Sequence, residues 1–169
     1  MKAIEETLSC KKKDIIKKCV ELTAETYPPE TSELLKREDD RFLNPVGFTI
    51  RTEIGNIFDE LAGAMDPVRL RSCLENIVKI RAVQNFTASE AVSFVYSLKR
   101  SVRDELRANT GSGASEGAPE VTEQNFVEAL AEIDERIDRI ALLAFDVYMG
   151  CREKIHEIRV KEIKAFRVR

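Results

Sequence analysis

The longest uninterrupted helical signal in this sequence runs from Thr122 to Phe166, a stretch with no proline and a single glycine. Apolar residues recur along it in steps of four and three, which is the spacing of a heptad repeat. The members of this stripe are Phe126, Leu130, Ile133, Ile137, Ile140, Ala144, Val147 and Cys151. At about 1.5 Å per residue such a helix is ~60 Å long and outruns a domain of this chain's size. The pattern therefore predicts a helix that packs on a smaller body, pairs with a second copy, or does both.

The N-terminal helical segments are bounded by prolines. Residues 3–26 place apolar side chains on one face at helical spacing, and Pro28 and Pro29 follow them directly. Proline lacks an amide hydrogen and disfavours the helical conformation of the residue before it. The polar residues 30–40 leave room for one short helix. We therefore expect one long helix here, followed by at most one short one.

Three further helices are indicated by the residues that start them. Val46 opens a segment with apolar residues at helical spacing, and Asp66 followed by Pro67 is an N-cap with a proline in the first turn. Thr87 and Glu90 have the spacing of a capping box, in which the two side chains bond each other's backbone amides. The sequence thus predicts an all-α protein, a single helical bundle of about five helices with a long C-terminal helix.

Composition divides the chain into three parts. Residues 1–108 form the predicted helical sensory or regulatory body. Residues 109–120 include NTGSGASEGAP, and such small residues bury too little apolar surface to offset the entropy lost on ordering. We therefore predict a flexible loop there. Residues 121–169 hold the long amphipathic helix, which packs on the body, dimerises, or both.

Charge and hydropathy exclude several classes of protein. The formal net charge of −3 provides no global attraction for nucleic acid, so we expect no nucleic-acid partner. No stretch approaches ~18 uncharged apolar residues, so we expect no membrane insertion. Residues 1–19 mix six lysines with acidic residues and lack the apolar core of an export signal. These features together predict a cytoplasmic protein.

Residues that bind metals or perform nucleophilic catalysis are scarce. The four cysteines lie far apart and form no CxxC pair, which argues against a zinc site and against a dithiol redox motif. The single histidine, His156, lies off the heptad stripe next to charged residues, a position typical of a solvated side chain. No glycine-rich phosphate loop follows a predicted strand. The sequence therefore predicts no catalytic centre, no metal and no cofactor, haem included.

Charge along the long helix is uneven. Residues 120–147 hold eight acidic and two basic residues, whereas residues 148–169 hold seven basic and three acidic ones. This order complements the helix dipole. Two such helices lying parallel and in register would repel each other. If the helix pairs with a second copy, an antiparallel or crossed arrangement is therefore favoured.

Two segments carry polar residues where the pattern calls for apolar ones: DRFLNPVG at residues 40–47 and RAVQNF at residues 81–86. Arg81 continues the inward stripe that passes through Ile77 and Val78, and a buried guanidinium must find carboxylate or carbonyl partners. Asp40 is the predicted carboxylate partner. The candidate polar network, or alternatively ligand site, comprises Asp40, Arg41, Asn44, Arg81 and Gln84.

These two segments make the chain resemble a known family. Together with the helix that carries Ala91, Phe94, Val95, Leu98 and Lys99, they resemble the N-terminal domain of RsbRD-type RsbT co-antagonist proteins, a family of stressosome paralogues. The resemblance spans roughly residues 15–106, and the two motifs are specific as a pair. Ala88 stands where the family commonly has proline, and the first helix lacks the usual tryptophan.

The resemblance implies a helical regulatory module, similar to the haem-free globin-like domains of related stressosome sensors. Such domains are often paired as dimers and fused to a phosphorylatable output domain or kinase. No output domain follows in this chain, so we expect either a stand-alone member or an excised piece.

The predicted function is that of a non-catalytic signalling module, a sensor or scaffold acting through protein contacts. We expect a homodimer in which the long helix takes part, together with a protein partner in signalling. The alternative is a helical protein that binds a small ligand or a redox partner between its helices. A thermal-shift response to a metabolite would favour this alternative.

Overall fold

The computed structural model describes residues 2–37, 41–84, 86–111 and 123–167, and within them every regular element is a helix. The six helices are α1 (Lys2–Ala24), α2 (Pro29–Lys36), α3 (Pro45–Ala62), α4 (Pro67–Val83), α5 (Ala88–Gly111) and α6 (Glu123–Arg167). The predicted all-α bundle is confirmed. The sixth helix is the short α2, for which the sequence only left room.

The helix starts predicted from the sequence are formed by local hydrogen bonds. The carboxylate of Asp66 accepts from the backbone amides of Val68 and Arg69, at 2.8 and 3.2 Å. At the start of α5 the amide of Thr87 donates to the Glu90 carboxylate over 2.9 Å, and the amide of Glu90 donates to the Thr87 hydroxyl over 3.3 Å. Both caps satisfy amides that a helix end leaves without an intrahelical partner.

The core lies between five long helices. Helix α1 packs against α3 and α5, α3 packs against α4, and α6 packs against α4 and α5. Helices α5 and α6 are antiparallel, because Lys99 pairs with Asp138 while Arg103 pairs with Asp134. Burial of one apolar face per helix is the main source of stability in such an arrangement.

The ends of α3 and α5 differ in detail from the sequence predictions. Helix α3 ends before Gly63 as predicted, but the left-handed backbone conformation that often follows a helix falls on Met65, with φ of 55°. Helix α5 continues through Gly111, into the segment predicted to be a loop from residue 109. The rest of the predicted loop lies outside the described residues.

Helix α6 has a packed part and a projecting part. Its side chains alternate between buried and exposed as far as Cys151, whereas from His156 to Ala165 all but the half-buried Val160 are exposed. The last three turns therefore extend beyond the body. Among the described helices none is long and apolar enough to cross a membrane.

Candidate functional site

The side chain of Arg81 is completely buried at the C-terminal end of α4, with 0% exposure. Its Nη2 donates to the Thr26 hydroxyl over 2.9 Å, to the backbone carbonyl of Glu90 over 2.7 Å, and to the Ser93 hydroxyl over 3.4 Å. Thr26 follows α1, while Glu90 and Ser93 lie in the first turns of α5. One guanidinium thus joins three helices at one end of the bundle.

Two aromatic rings that contact each other also lie against this guanidinium. Its central carbon lies 4.3 Å from the ring centroid of Phe86 and 5.0 Å from that of Tyr27, and the two rings meet edge to face. A cation over the face of an aromatic ring is attracted by the ring's quadrupole. We call Thr26, Tyr27, Arg81, Phe86, Glu90 and Ser93 the arginine cluster.

Burial perturbs both titratable groups at the centre of the arginine cluster. Desolvation lowers the pKa of Arg81, and its interactions with Tyr27 and with the Glu90 carboxylate oppose the shift. Desolvation raises the pKa of Tyr27, against the effect of the nearby Arg81 charge. Among the described residues, Nε and Nη1 of Arg81 and the hydroxyl of Tyr27 have no hydrogen-bond partner.

Helix α6 is tied to the same end of the bundle. The Tyr148 hydroxyl donates to the backbone carbonyl of Phe86 over 3.1 Å, and Arg152 Nη1 donates to the carbonyl of Ala82 over 3.3 Å. Phe86 thus stacks on Arg81 through its ring and holds α6 through its backbone. The projecting part of α6 begins one turn after Arg152, so it starts beside the arginine cluster.

The NPVG part of the first motif is a helix start. Asn44 caps α3 by accepting from the amide of Gly47 over 2.9 Å, and its Nδ2 donates to the carbonyls of Leu34 and Arg37. A Cβ atom on Gly47 would lie 2.3 Å from that Nδ2, which requires glycine there. Pro45 occupies the first helical turn, where its missing amide hydrogen costs nothing. The motif fastens α2 to α3.

Arg41 borders an open polar groove of about 370 Å³ between α3 and α4. Its guanidinium carbon lies 5.8 Å from the ring centroid of Phe48. The groove is lined by Arg41, Phe48, Thr49, Thr52, Glu53, Asn76 and Lys79. The lining holds two cations and one carboxylate, and the acidic residues engage part of it: Asn76 donates to Glu53 over 2.8 Å, and Lys79 pairs with Glu75 over 2.9 Å.

The predicted polar network is only partly assembled. Arg81 is buried and bonds carbonyl and hydroxyl groups at the start of α5, whereas Asn44 and Gln84, grouped with it in the candidate network, lie elsewhere. Asn44 bonds within the α2–α3 connection, and Gln84 is exposed at the end of α4. Asp40 lies outside the described residues, so its pairing with Arg81 stays a prediction.

The heptad stripe of α6 faces the bundle. Six of its members are buried against α4 and α5: Ile133, Ile137, Ile140, Ala144, Val147 and Cys151. Leu130 is half-buried against the same core, and the side chain of Phe126 is outside the described part of the chain. Of the alternatives that the heptad pattern left open, the body itself therefore covers this stripe from Leu130 to Cys151.

Several cluster residues gave no signal in the sequence. In the sequence, Thr26 and Tyr27 indicate only the end of a helix before two prolines. Ser93 occupies a helix position that shows no special pattern. Tyr148 has an apolar neighbourhood, which predicts burial but no bonding partner. The bonds of Thr26, Ser93 and Tyr148 join residues 55, 12 and 62 positions apart, and no local pattern encodes them.

His156 is exposed on the projecting part of α6. Within the described residues there is no group of three or more histidine, cysteine, aspartate or glutamate side chains placed to hold a metal ion. Cys19 is buried, and burial raises the pKa of its thiol to about 12. Its sulfur donates to the carbonyl of Phe94 over 3.7 Å, which is a packing role.

Comparisons with known proteins give one family. The family model described as "RsbT co-antagonist protein rsbRD N-terminal domain" matches residues 13–162. Comparisons with curated proteins and with solved structures gave no match. The matched range reaches beyond residues 15–106, where the sequence motifs lie, and includes most of α6. Since it covers most of the chain, this protein belongs to the family of RsbRD N-terminal domains of RsbT co-antagonist proteins.

Proposed function

We propose that this chain is a non-catalytic signalling module that acts in the cytoplasm through contacts with protein partners of stressosome-type signalling. Its family is regulatory, linked to control of the stressosome. The observation that carries the proposal is the position of the arginine cluster. It joins α1, α4 and α5 at the point where α6 leaves the body.

For a signal to pass through this end of the bundle, a conformational change in the body must reach α6. Phe86 provides the link, since its ring stacks on Arg81 and its carbonyl accepts from Tyr148. A ligand or partner that shifts the corner after α1 would move Arg81, and with it the residue that holds α6. Buried polar networks favour discrete arrangements over gradual ones, which suits a two-state signal.

The function is tested with the kinase and the phosphorylatable output protein of a stressosome pathway from the same organism. We expect the purified chain to bind one of them and to change the rate of output phosphorylation in a saturable way. The variant Tyr148→Phe keeps the ring but loses the bond to Phe86, and we expect it to reduce this effect. The exposed Tyr96 serves as the matched control, as Tyr96→Phe. Absence of both binding and a rate effect would contradict the proposal.

A second function, binding of a small ligand, is favoured by the groove between α3 and α4. The two cations Arg41 and Lys79 outnumber the one carboxylate in its lining, Glu53, which favours a phosphorylated or dicarboxylate metabolite. We expect such a ligand to raise the melting temperature of the chain, and Lys79→Ala to abolish the rise. The exposed Arg69 on the same helix provides the control, Arg69→Ala. A panel of these metabolites without any thermal shift would argue against it.

A further inference from the structure

The outer side of α5 carries three arginines at steps of three and four residues: Arg100, Arg103 and Arg107. We call these three residues the basic face. The side chains of Arg100 and Arg103 are 69% and 40% exposed, and Arg107 is exposed as well. Such steps keep side chains on one side of a helix, so the three guanidinium groups form a line along α5. Asp104 and Glu105, between Arg103 and Arg107, fall outside this line.

Positive charge is in excess where α5 packs against α1. The Asp104 carboxylate lies 2.8 Å from the Lys18 ammonium of α1, and Arg100 lies 4.0 Å from the same carboxylate. The bond to Lys18, together with the charges of Arg100 and Arg107, holds the pKa of Asp104 below its ordinary value. Three cations thus surround this carboxylate, more than one acid can neutralise.

Arg103 is held in position by α6. Its Nη2 donates to the half-buried carboxylate of Asp134 over 2.6 Å, and the Lys99 ammonium lies 3.8 Å from that carboxylate. The guanidinium still keeps part of its surface in solvent. Because it is already fixed, it loses little conformational entropy when a partner binds it.

The helix dipole does not account for the basic face. The dipole favours cations only within the last turn of a helix, and α5 continues to Gly111. Arg100 and Arg103 precede that end by about three and two turns. The whole chain has a formal net charge of −3, so the line of arginines is a local feature of α5.

We propose that the basic face of α5 binds an acidic helix of a protein partner, with carboxylates at steps of three and four residues. Neighbours at such steps lie about 5–6 Å apart on either helix, so a helix lying along α5 would set one carboxylate opposite each arginine. A guanidinium binds a carboxylate through two parallel hydrogen bonds, a contact that lysine does not make. The inference rests on the proposed function only in that the partner is a protein, and it does not involve the arginine cluster.

The neighbouring surface of α6 limits the width of the partner. Asp138, which pairs with Lys99, and Glu135, about one turn before it, are both largely exposed. These acids would repel a broad polyanion such as a nucleic-acid duplex or an anionic membrane surface. A single helix with one line of carboxylates can contact the basic face without covering them. Their position therefore favours a protein helix over the wider anionic partners.

Nuclear magnetic resonance of the full chain tests the surface. The probe is a synthetic alanine-rich helical peptide with glutamates at steps of three and four residues over about three turns, and the control peptide has glutamine at the same positions. We expect the glutamate peptide to shift the amide signals of residues 96–107 in a saturable way, and to lose this effect as salt is raised. The glutamine peptide should leave the signals unchanged. Equal shifts by both peptides, or no shift in α5, would overturn the proposal.

Matched variants test the arginines themselves. The double variant Arg100→Gln with Arg107→Gln removes two positive charges from the basic face and should weaken binding of the glutamate peptide by about tenfold. The control, Arg69→Gln with Arg139→Gln, removes two exposed arginines from other surfaces and changes the net charge equally. It should bind the peptide as the wild type does. Equal weakening by the two double variants would show that net charge alone drives binding, and would refute the basic face.

Wider anionic partners are tested with the same signals. Duplex DNA or phosphatidylglycerol vesicles that shift the amides of residues 96–107 at lower concentration than the glutamate peptide would refute the acidic helix as the partner. None of these experiments uses the kinase or the output protein. A negative result therefore refutes the basic face and leaves the proposed function to its own test.

Discussion

The residue whose chemistry is most constrained is Arg81. Its guanidinium is fully buried and bonds Thr26, Ser93 and the carbonyl of Glu90. Truncation to alanine leaves a cavity and removes these bonds, so we expect Arg81→Ala to lower the free energy of unfolding by about 3 kcal/mol or more. The matched control is Arg69→Ala, an exposed position of the same helix, which should lower it by less than about 1 kcal/mol. Urea denaturation measures both, and equal losses would contradict the buried cluster.

A second residue-scale prediction concerns Glu90 and pH. Its pKa lies below the ordinary value of 4.5, chiefly because the Thr87 amide bonds its carboxylate, and also because the Thr87 hydroxyl does. A carboxyl whose pKa is depressed in the folded state stabilises the fold above its unfolded pKa, and loses that effect as pH falls through the folded pKa.

Glu90→Gln should therefore lower the melting temperature most at neutral pH. The difference from wild type should shrink as pH falls from about 5 to about 3, because the wild-type carboxylate becomes protonated over this window. Thermal unfolding followed by circular dichroism at a series of pH values provides the measurement. A difference that stays constant across the series would show that the charge of Glu90 plays no part.

The role of a single residue could be predicted from the sequence when the residues that it contacts lie close to it along the chain. Asp66 and the Thr87–Glu90 box were read correctly, because a helix cap is made by residues two or three positions apart. The burial of Arg81 followed from its place on an apolar stripe. Its hydrogen-bond partners could not be predicted in this way, because Thr26 lies 55 positions away and no local sequence pattern indicates the contact.

At the scale of elements, the long helix shows that hydrophobic periodicity predicts which face of a helix is buried but not what that face packs against. The heptad spacing through Ile137 and Ile140 gave the buried face of α6 correctly, yet the same spacing fits a partner helix and a bundle equally. The structure covers that face with α4 and α5.

The packing of α6 gives an element-scale prediction. Ile137 is fully buried, so Ile137→Ala should lower the free energy of unfolding by about 2–5 kcal/mol. Leu142→Ala, at an exposed position of the same helix, should change it by less than about 0.5 kcal/mol when the chain is dilute enough to be monomeric. Chemical denaturation at low concentration compares them. A neutral Ile137→Ala would mean that α6 does not pack on the body as described.

For the whole molecule, the body and the end of α6 differ in what holds them together. The body is stabilised by a continuous apolar core and by the arginine cluster at one end. The last three turns of α6 lack packing of this kind, as the exposure of Ile158 and Ile163 shows. The fold of the body thus follows from helix patterns in the sequence. The stability of the projecting turns depends on contacts that they make outside the body.

Hydrogen exchange resolves these two regions in one experiment. Amides of residues 133–151 should exchange only with global unfolding, because their helix is packed on one face. Amides of residues 156–165 should exchange orders of magnitude faster in a dilute sample, where only the marginal stability of a short helix protects them. Mass spectrometry of peptides from the two regions makes the comparison, and projecting turns that exchange as slowly as residues 133–151 would show that they are packed on the body.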